Sequence, residues 1–133
     1  MKGFHQEVVR VVLLDAQNRC ITKVDISKGT MNASLAVPRE IFRPAIIHSA
    51  YGSVLVHNHP SGATKPSEAD RQITKRVAAA AQILQIYFLD HVIVGQGFFS
   101  SRKQDFCKLL VHTQDYSTLQ LLQRHLLYLS CIL

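Results

Sequence analysis

His57-Asn58-His59-Pro60-Ser61-Gly62, with Pro66-Ser67-Glu68-Ala69-Asp70 soon after it, is the stretch around which the rest of the chain arranges itself. The apolar run Ser53 to His57 that leads into it predicts a short buried strand. Asn58 to Pro66 holds two prolines, a glycine and two hydroxyl residues, the composition of a loop. From Ser67 onward Ile73, Val77, Ala80, Ala81 and Leu84 recur at helical spacing and predict the strongest helix of the chain. A strand, a turn-rich loop and a helix in this order are the makings of an α/β unit.

Working outward, Val8 to Leu14 is a nearly unbroken β-branched and leucine run that ends at the turn-like Asp15-Ala16-Gln17-Asn18. Cys20 to Ile26 resumes an extended pattern, so the two segments predict a hairpin that Gly29 ends. Pro38-Arg39-Glu40 opens a second predicted helix reaching about Ser49, proline being at home in a first turn. Pro44 predicts a kink or an early end there, since it removes a donor and crowds the preceding turn. On the other side, Ile86 to Val94 predicts a strand that Gly95-Gln96-Gly97 turns into Phe98-Phe99-Ser100. There is no internal repeat, linker or low-complexity segment. The expectation is a compact α/β domain of two or three layers, a mixed sheet flanked by two main helices.

A length of 133 residues suits one domain, and 47% hydrophobic residues suffice for a core. The formal charge of +6 would suit nucleic acid or an acidic partner, but the basic residues are scattered and a solvated surface explains them as well. Cys20, Cys107 and Cys131 have neither disulfide-scaffold nor metal-ligand spacing, which fits reduced thiols in the cytoplasm. The first residues form no signal peptide, and the apolar run Leu126 to Leu133 is far short of the ~20 residues of a membrane span. A soluble protein is expected.

Histidines two apart on an extended segment point to one side with Cα atoms ~6.5–7 Å apart, so their imidazoles can reach one metal at ~2.0–2.1 Å. The ten residues after His59 bring the next helix back toward them, and Asp70 in its first turn offers a carboxylate oxygen. Two histidines and one carboxylate leave a fourth position for water, the pattern of a catalytic zinc site. Ser67 and Asp70 also match a helix capping box, and the hydroxyl could serve as cap while turning its proton into the site. Asp90 and His91 are adjacent on a predicted strand and face opposite sides; one could support a metal-binding imidazole, and neither is expected as a ligand.

His-x-His, seven residues, Ser, two residues, Asp resembles the metal motif of the JAB/MPN-type (JAMM) metallopeptidases. The longer string His57-Asn58-His59-Pro60-Ser61-Gly62 and Ser67-Glu68-Ala69-Asp70 lies between Pro38-Arg39-Glu40 and Asp90-His91-Val92-Ile93-Val94-Gly95, and together these resemble the RadC-like branch. The likeness covers about Glu7 to Arg102. It implies a JAB/MPN-like domain over residues 1–104. The tail over 105–133 departs from the family; the leucine-rich helical spacing of Leu119 to Tyr128 predicts a helical extension that packs on the core or exposes an apolar face for dimerisation, with a tail altered by frameshift as a third alternative.

The resemblance further implies one zinc per chain held by His57, His59 and Asp70. Glu7, just before the first strand, matches the family's general base on the metal's water, with Glu40 as the rival. Ser67 matches the serine that steadies the tetrahedral intermediate. The implied activity is hydrolysis of a peptide or isopeptide bond. Two alternatives accompany it: a DNA-repair-associated module that binds or processes DNA, and a catalytically silent metal-binding interaction domain. The letters His-Asn-His do not make an HNH nuclease, whose residues spread over a ββα unit. RadC-like proteins often carry an N-terminal helix-hairpin-helix region, and this sequence begins too late to include one.

Overall fold

The computed structural model of the chain describes residue 1, residues 4–29 and residues 37–102. The expected C-terminal helix, Cys107, Cys131 and the boundary after residue 104 lie outside the described residues. The elements are β1 (Val8–Leu14), β2 (Cys20–Lys28), α1 (Pro38–Ile47), β3 (Gly52–Asn58), α2 (Glu68–Leu84), β4 (Tyr87–Val94) and β5 (Phe98–Ser100). They follow the sequence expectation in number, type and order.

The strands form one mixed sheet in the order β2-β1-β3-β4-β5. Only β3 and β4 run parallel, joined through α2 as a crossover; the other pairs are antiparallel. The β1–β2 hairpin turns on Asp15, whose carboxylate accepts the backbone N–H groups of Gln17 and Arg19 at 2.9 Å. Strand alternation sends Val9, Val11, Leu13 and Leu55 to the face covered by α1 and α2, where they pack with Ile41, Phe42, Ile73 and Val77. Val12, Leu14, Val54, Val56, Val92 and Val94 form a second cluster on the opposite face. Among the described residues the helices lie on one face only, so the architecture is two-layered.

Two local details bear on the sequence reading. α1 continues through Pro44 and ends at Ile47, two residues before Ser49, which is the early end of the two outcomes the proline predicts. Pro44 is the seventh helical residue, so the break costs α1 one hydrogen bond near its end, while Ile41, Phe42 and Ala45 hold it on the sheet. In α2 the apolar stripe is buried at Ile73, Val77 and Ala81, but Leu84 is exposed at the last helical position. Gln85 follows in the left-handed region and ends the helix.

The β3–β4 register carries an irregularity. Ser53 pairs with Phe88 but Val54 pairs with Asp90, leaving Leu89 as an extra residue. Phe88 packs on the helix-side core and Leu89 on the opposite one. Plain alternation from Phe88 would then turn Asp90 toward the helices and His91 away. The bulge reverses that phase, and His91, paired with Leu55, faces α2.

Candidate metal centre

His57 is the sixth residue of β3 and shares the helix-facing side with Leu55; His59 follows just beyond the strand end. The β1–β3 pairing sets Val9 opposite His57. Glu7, two residues before Val9, therefore stands on the same face. After His59 the chain turns through Gly62, whose N–H donates to the His59 carbonyl at 2.9 Å and whose φ is +79°. The Gly62 carbonyl then accepts the Gln96 N–H at 2.9 Å, and Gly95 comes so close that any Cβ there would collide with it. Pinned in this way to the β4–β5 turn, the loop delivers Ser67 and the start of α2 back beside the histidines.

His57 Nε2 and His59 Nε2 stand 2.9 Å apart. Asp70 Oδ1 lies 3.2 Å from the first and Oδ2 lies 3.4 Å from the second. Ligands of a tetrahedral zinc at ~2.0–2.1 Å stand ~3.3 Å from one another, so these spacings suit a small divalent cation with little rearrangement. A carboxylate oxygen of Glu7 joins the two imidazoles in a group whose ligand atoms all fall within 4.8 Å of one another. His59 Nδ1 donates to the Ala63 carbonyl at 3.0 Å, which leaves Nε2 with its lone pair toward Asp70 and His57. Electron-pair donors gathered this tightly, two of them nearly buried, are a stable arrangement only around positive charge, and the residues fit a metal.

Asp70 is 2% exposed and sits at the third position of α2. Its Oδ2 accepts the Ser67 backbone N–H and the Ser67 hydroxyl, both at 2.7 Å, while Ser67 Oγ accepts the Asp70 N–H at 3.2 Å. This is a complete capping box. Burial opposes ionisation of Asp70, but the His57 imidazole and the Ser67 donors beside it outweigh that and hold the carboxyl well below the usual carboxylate range. The cap and the candidate ligand are thus one device, and the Ser67 hydroxyl proton is directed at Asp70.

Glu40, the rival base, lies on α1 with its carboxylate taking the Arg39 Nε–H at 2.9 Å, and it is absent from the metal-competent group. His91 is 1% exposed. Its Nε2 stands 2.8 Å from His57 Nδ1, and its Nδ1 stands 2.6 Å from Thr74 Oγ1. Burial, with the neighbouring His57 imidazole adding to it, pushes the His91 pKa down to about 3. Asp90 faces the other side, accepting the His91 and Arg102 N–H groups at 2.8 and 3.0 Å and the Ser100 hydroxyl at 2.6 Å.

Two site residues lay beyond the sequence reading. Thr74 has no motif signal; only its distance of four residues from Asp70 on a helix could have pointed to it. Asn58, at the centre of the motif, brackets Glu7: its Oδ1 accepts the Val8 N–H at 2.9 Å and its Nδ2 donates to the Gln6 carbonyl at 3.0 Å. Beside His59 a cleft of about 480 Å³ opens between Phe4, His5, Ser61, Gly62 and Gln96.

The family model described as RadC-like JAB domain matches residues 1–106. The chain belongs to the RadC-like JAB domain family. Its likeness to curated relatives is substantial: 44% identity over 107 residues with a UPF0758 protein of Actinobacillus succinogenes, covering 80% of this chain and 49% of that one. A UPF0758 protein of Rubrobacter xylanophilus is 54% identical over 93 residues, covering 70% and 41% of the two chains. One of Chlorobium luteolum is 48% identical over 101 residues, covering 75% and 45%. The chain spans about half the length of these RadC-like relatives. Within the JAB domain, Glu7, His57 and His59 are a potential metal-binding group. No helix among the described residues is long and apolar enough to cross a membrane.

Proposed function

We propose that this RadC-like JAB domain is a zinc-dependent hydrolase of peptide or isopeptide bonds. The observation that carries the reading is the convergence of His57 Nε2, His59 Nε2 and the Asp70 carboxylate within 2.9–3.4 Å, with the Glu7 carboxylate alongside. His57, His59 and Asp70 would hold one zinc, which when bound supplies Lewis acidity and lowers the pKa of water to about 7. Glu7 takes the proton of the attacking water and delivers it to the leaving amine, the work of a general base turned acid. Asn58 fixes the backbone on both sides of that glutamate. Ser67 orients Asp70 first; to steady a developing oxyanion its hydroxyl turns away from Oδ2. The cleft beside His59 offers room for an extended peptide or protein segment. A reducing, cytoplasmic setting and dimerisation through the segment beyond residue 104 belong to the same proposal.

A second reading has its own observation. Arg71, Lys75 and Arg76 are exposed along α2, and with a formal charge of +6 they suit a module that associates with nucleic acid, in line with the DNA-repair connection of the RadC name. One experiment separates the two. The purified protein is analysed for zinc and offered a panel of peptide and isopeptide amides with and without a chelator, alongside duplex DNA at rising salt. Cleavage that disappears with the chelator supports the hydrolase; salt-sensitive DNA binding without cleavage overturns it in favour of the second reading.

A further inference from the structure

Asp70, Thr74, His91 and His57 form a closed chain of hydrogen bonds that joins one candidate ligand to another through α2, β4 and β3. Thr74 Oγ1 lies 2.6 Å from the Asp70 backbone carbonyl and 2.6 Å from His91 Nδ1; His91 Nε2 lies 2.8 Å from His57 Nδ1. The protons along this chain can be assigned by elimination. A backbone carbonyl only accepts, so the single Thr74 hydroxyl proton goes to Asp70 O. Thr74 Oγ1 is then the acceptor for His91, whose proton sits on Nδ1. An imidazole 1% exposed and flanked by another imidazole carries one proton in preference to two. His91 Nε2 is therefore bare and accepts from His57 Nδ1–H. The other nitrogen of His57, Nε2, is left facing His59 and Asp70.

We infer that His91 and Thr74 are positioning residues that select the metal-binding tautomer of His57 and couple its ring to the helix turn carrying Asp70. The inference rests on the metal-site reading above. It goes beyond ordinary support of a single ligand, because the relay ends on the backbone of a second one. A shift of α2 along its axis would carry the Thr74–Asp70 bond with it but part Thr74 from His91, release the His91 proton to either nitrogen, and leave His57 free to turn its N–H toward the metal position. Neither residue touches the ion or the substrate.

The test uses the whole chain. Zinc affinity is measured by competition with a chromophoric chelator, and the histidine tautomers are read by ¹⁵N NMR in the metal-free protein. Thr74→Val keeps shape and removes the hydroxyl; it should weaken zinc about 10-fold, and His91→Phe between about 10- and 100-fold. Thr74→Ser restores the hydroxyl and should bind within about 3-fold of the unaltered chain. The unaltered chain should show the His57 proton on Nδ1 and the His91 proton on Nδ1. A folded Thr74→Val variant with undiminished zinc affinity, or His91 protonated on Nε2, overturns the relay. Failure of the unaltered chain to bind zinc overturns the metal-site reading instead, and the tautomers still decide the relay. Should His91→Phe not fold, the Thr74 pair carries the test alone.

Discussion

His91 reaches His57 only because Leu89 is an extra residue in β4. Without that bulge the strand would offer Asp90 to the helix side, and an acidic group would stand against His57 Nδ1 where an imidazole now lies at 2.8 Å. A buried carboxylate there would need its own hydrogen-bond partners. On the far side Asp90 has them, in Ser100 and the backbone of His91 and Arg102.

The metal centre makes the first prediction. The purified chain should bind about one zinc, and His59→Ala should lower that sharply. Because binding stabilises the native state alone, adding zinc should raise Tm and a chelator should reverse the rise. Metal analysis and thermal melts check both. Stoichiometric zinc retained by the combined His57→Ala, His59→Ala and Asp70→Ala variant would remove the assignment.

Glu7 and Asp70 should respond differently to loss of charge. Glu7→Gln should keep zinc and lose ~10²–10⁴-fold in rate, the usual contribution of a general base. Asp70→Asn should bind zinc more weakly, because a neutral amide is the poorer ligand. Parallel zinc titration and peptide hydrolysis distinguish them. Full activity in Glu7→Gln would return attention to Glu40.

Asn58 is 2% exposed and holds both neighbours of Glu7. Asn58→Ala should leave zinc affinity within a few-fold while lowering the rate at least tenfold. It should also cost about 1–3 kcal/mol of stability by orphaning the Val8 N–H. Urea unfolding and zinc titration together check this; an unchanged rate would detach Asn58 from Glu7.

Acid should destabilise the metal-free protein early. The His91 pKa falls from 6.5 to about 3 on folding, so between those values the unfolded chain binds a proton that the native chain refuses. Stability therefore declines as pH drops from about 6.5 toward 3, by at most about 1.4 kcal/mol per pH unit for each such proton. The lowered Asp70 carboxyl acts with the same sign at more acid pH: its contribution is complete above the ordinary carboxylate value and is lost as pH falls. Urea midpoints measured from pH 7 to pH 4 should decrease, and His91→Phe should flatten the slope. A flat wild-type profile would contradict the buried neutral imidazole.

Gly95→Ala should cost about 1–3 kcal/mol, since the new methyl meets the Gly62 carbonyl, which is backbone and cannot swing aside. The loop bearing His59 would shift with it, so zinc affinity should fall as well. Calorimetry and zinc titration read the two effects.

The convergence of His57, His59 and Asp70 could be read from the sequence because these residues are local. His57, His59 and Asp70 fall within residues 57–70, so strand periodicity, loop composition and helix capping suffice to bring them together. The hairpin, both helices and the strand order along the chain were legible for the same reason. What escaped depends on pairing across the sheet. Asn58 acts on Gln6 and Val8 through a register that no local pattern displays. The bulge at Leu89 breaks alternation without a glycine or proline to announce it, so alternation could say that Asp90 and His91 diverge but not which of them turns inward. Pro44 shortens α1 without stopping it: the apolar contacts of Ile41, Phe42 and Ala45 carry the helix past the proline as far as Ile47.

The unequal sequence distances within the site also set an order of assembly. Closing residues 57–70 is a short loop, entropically inexpensive and achievable as soon as α2 nucleates. Bringing Asn58 to Val8 spans 50 residues and bringing His91 to His57 spans 34, and both wait for the sheet. A chain caught early in folding would thus already hold its candidate ligands His57, His59 and Asp70 but lack the glutamate and the aligned imidazole. On the proposed function such a chain would capture zinc before it could cut anything, and reactivity would arrive last, with the completed domain.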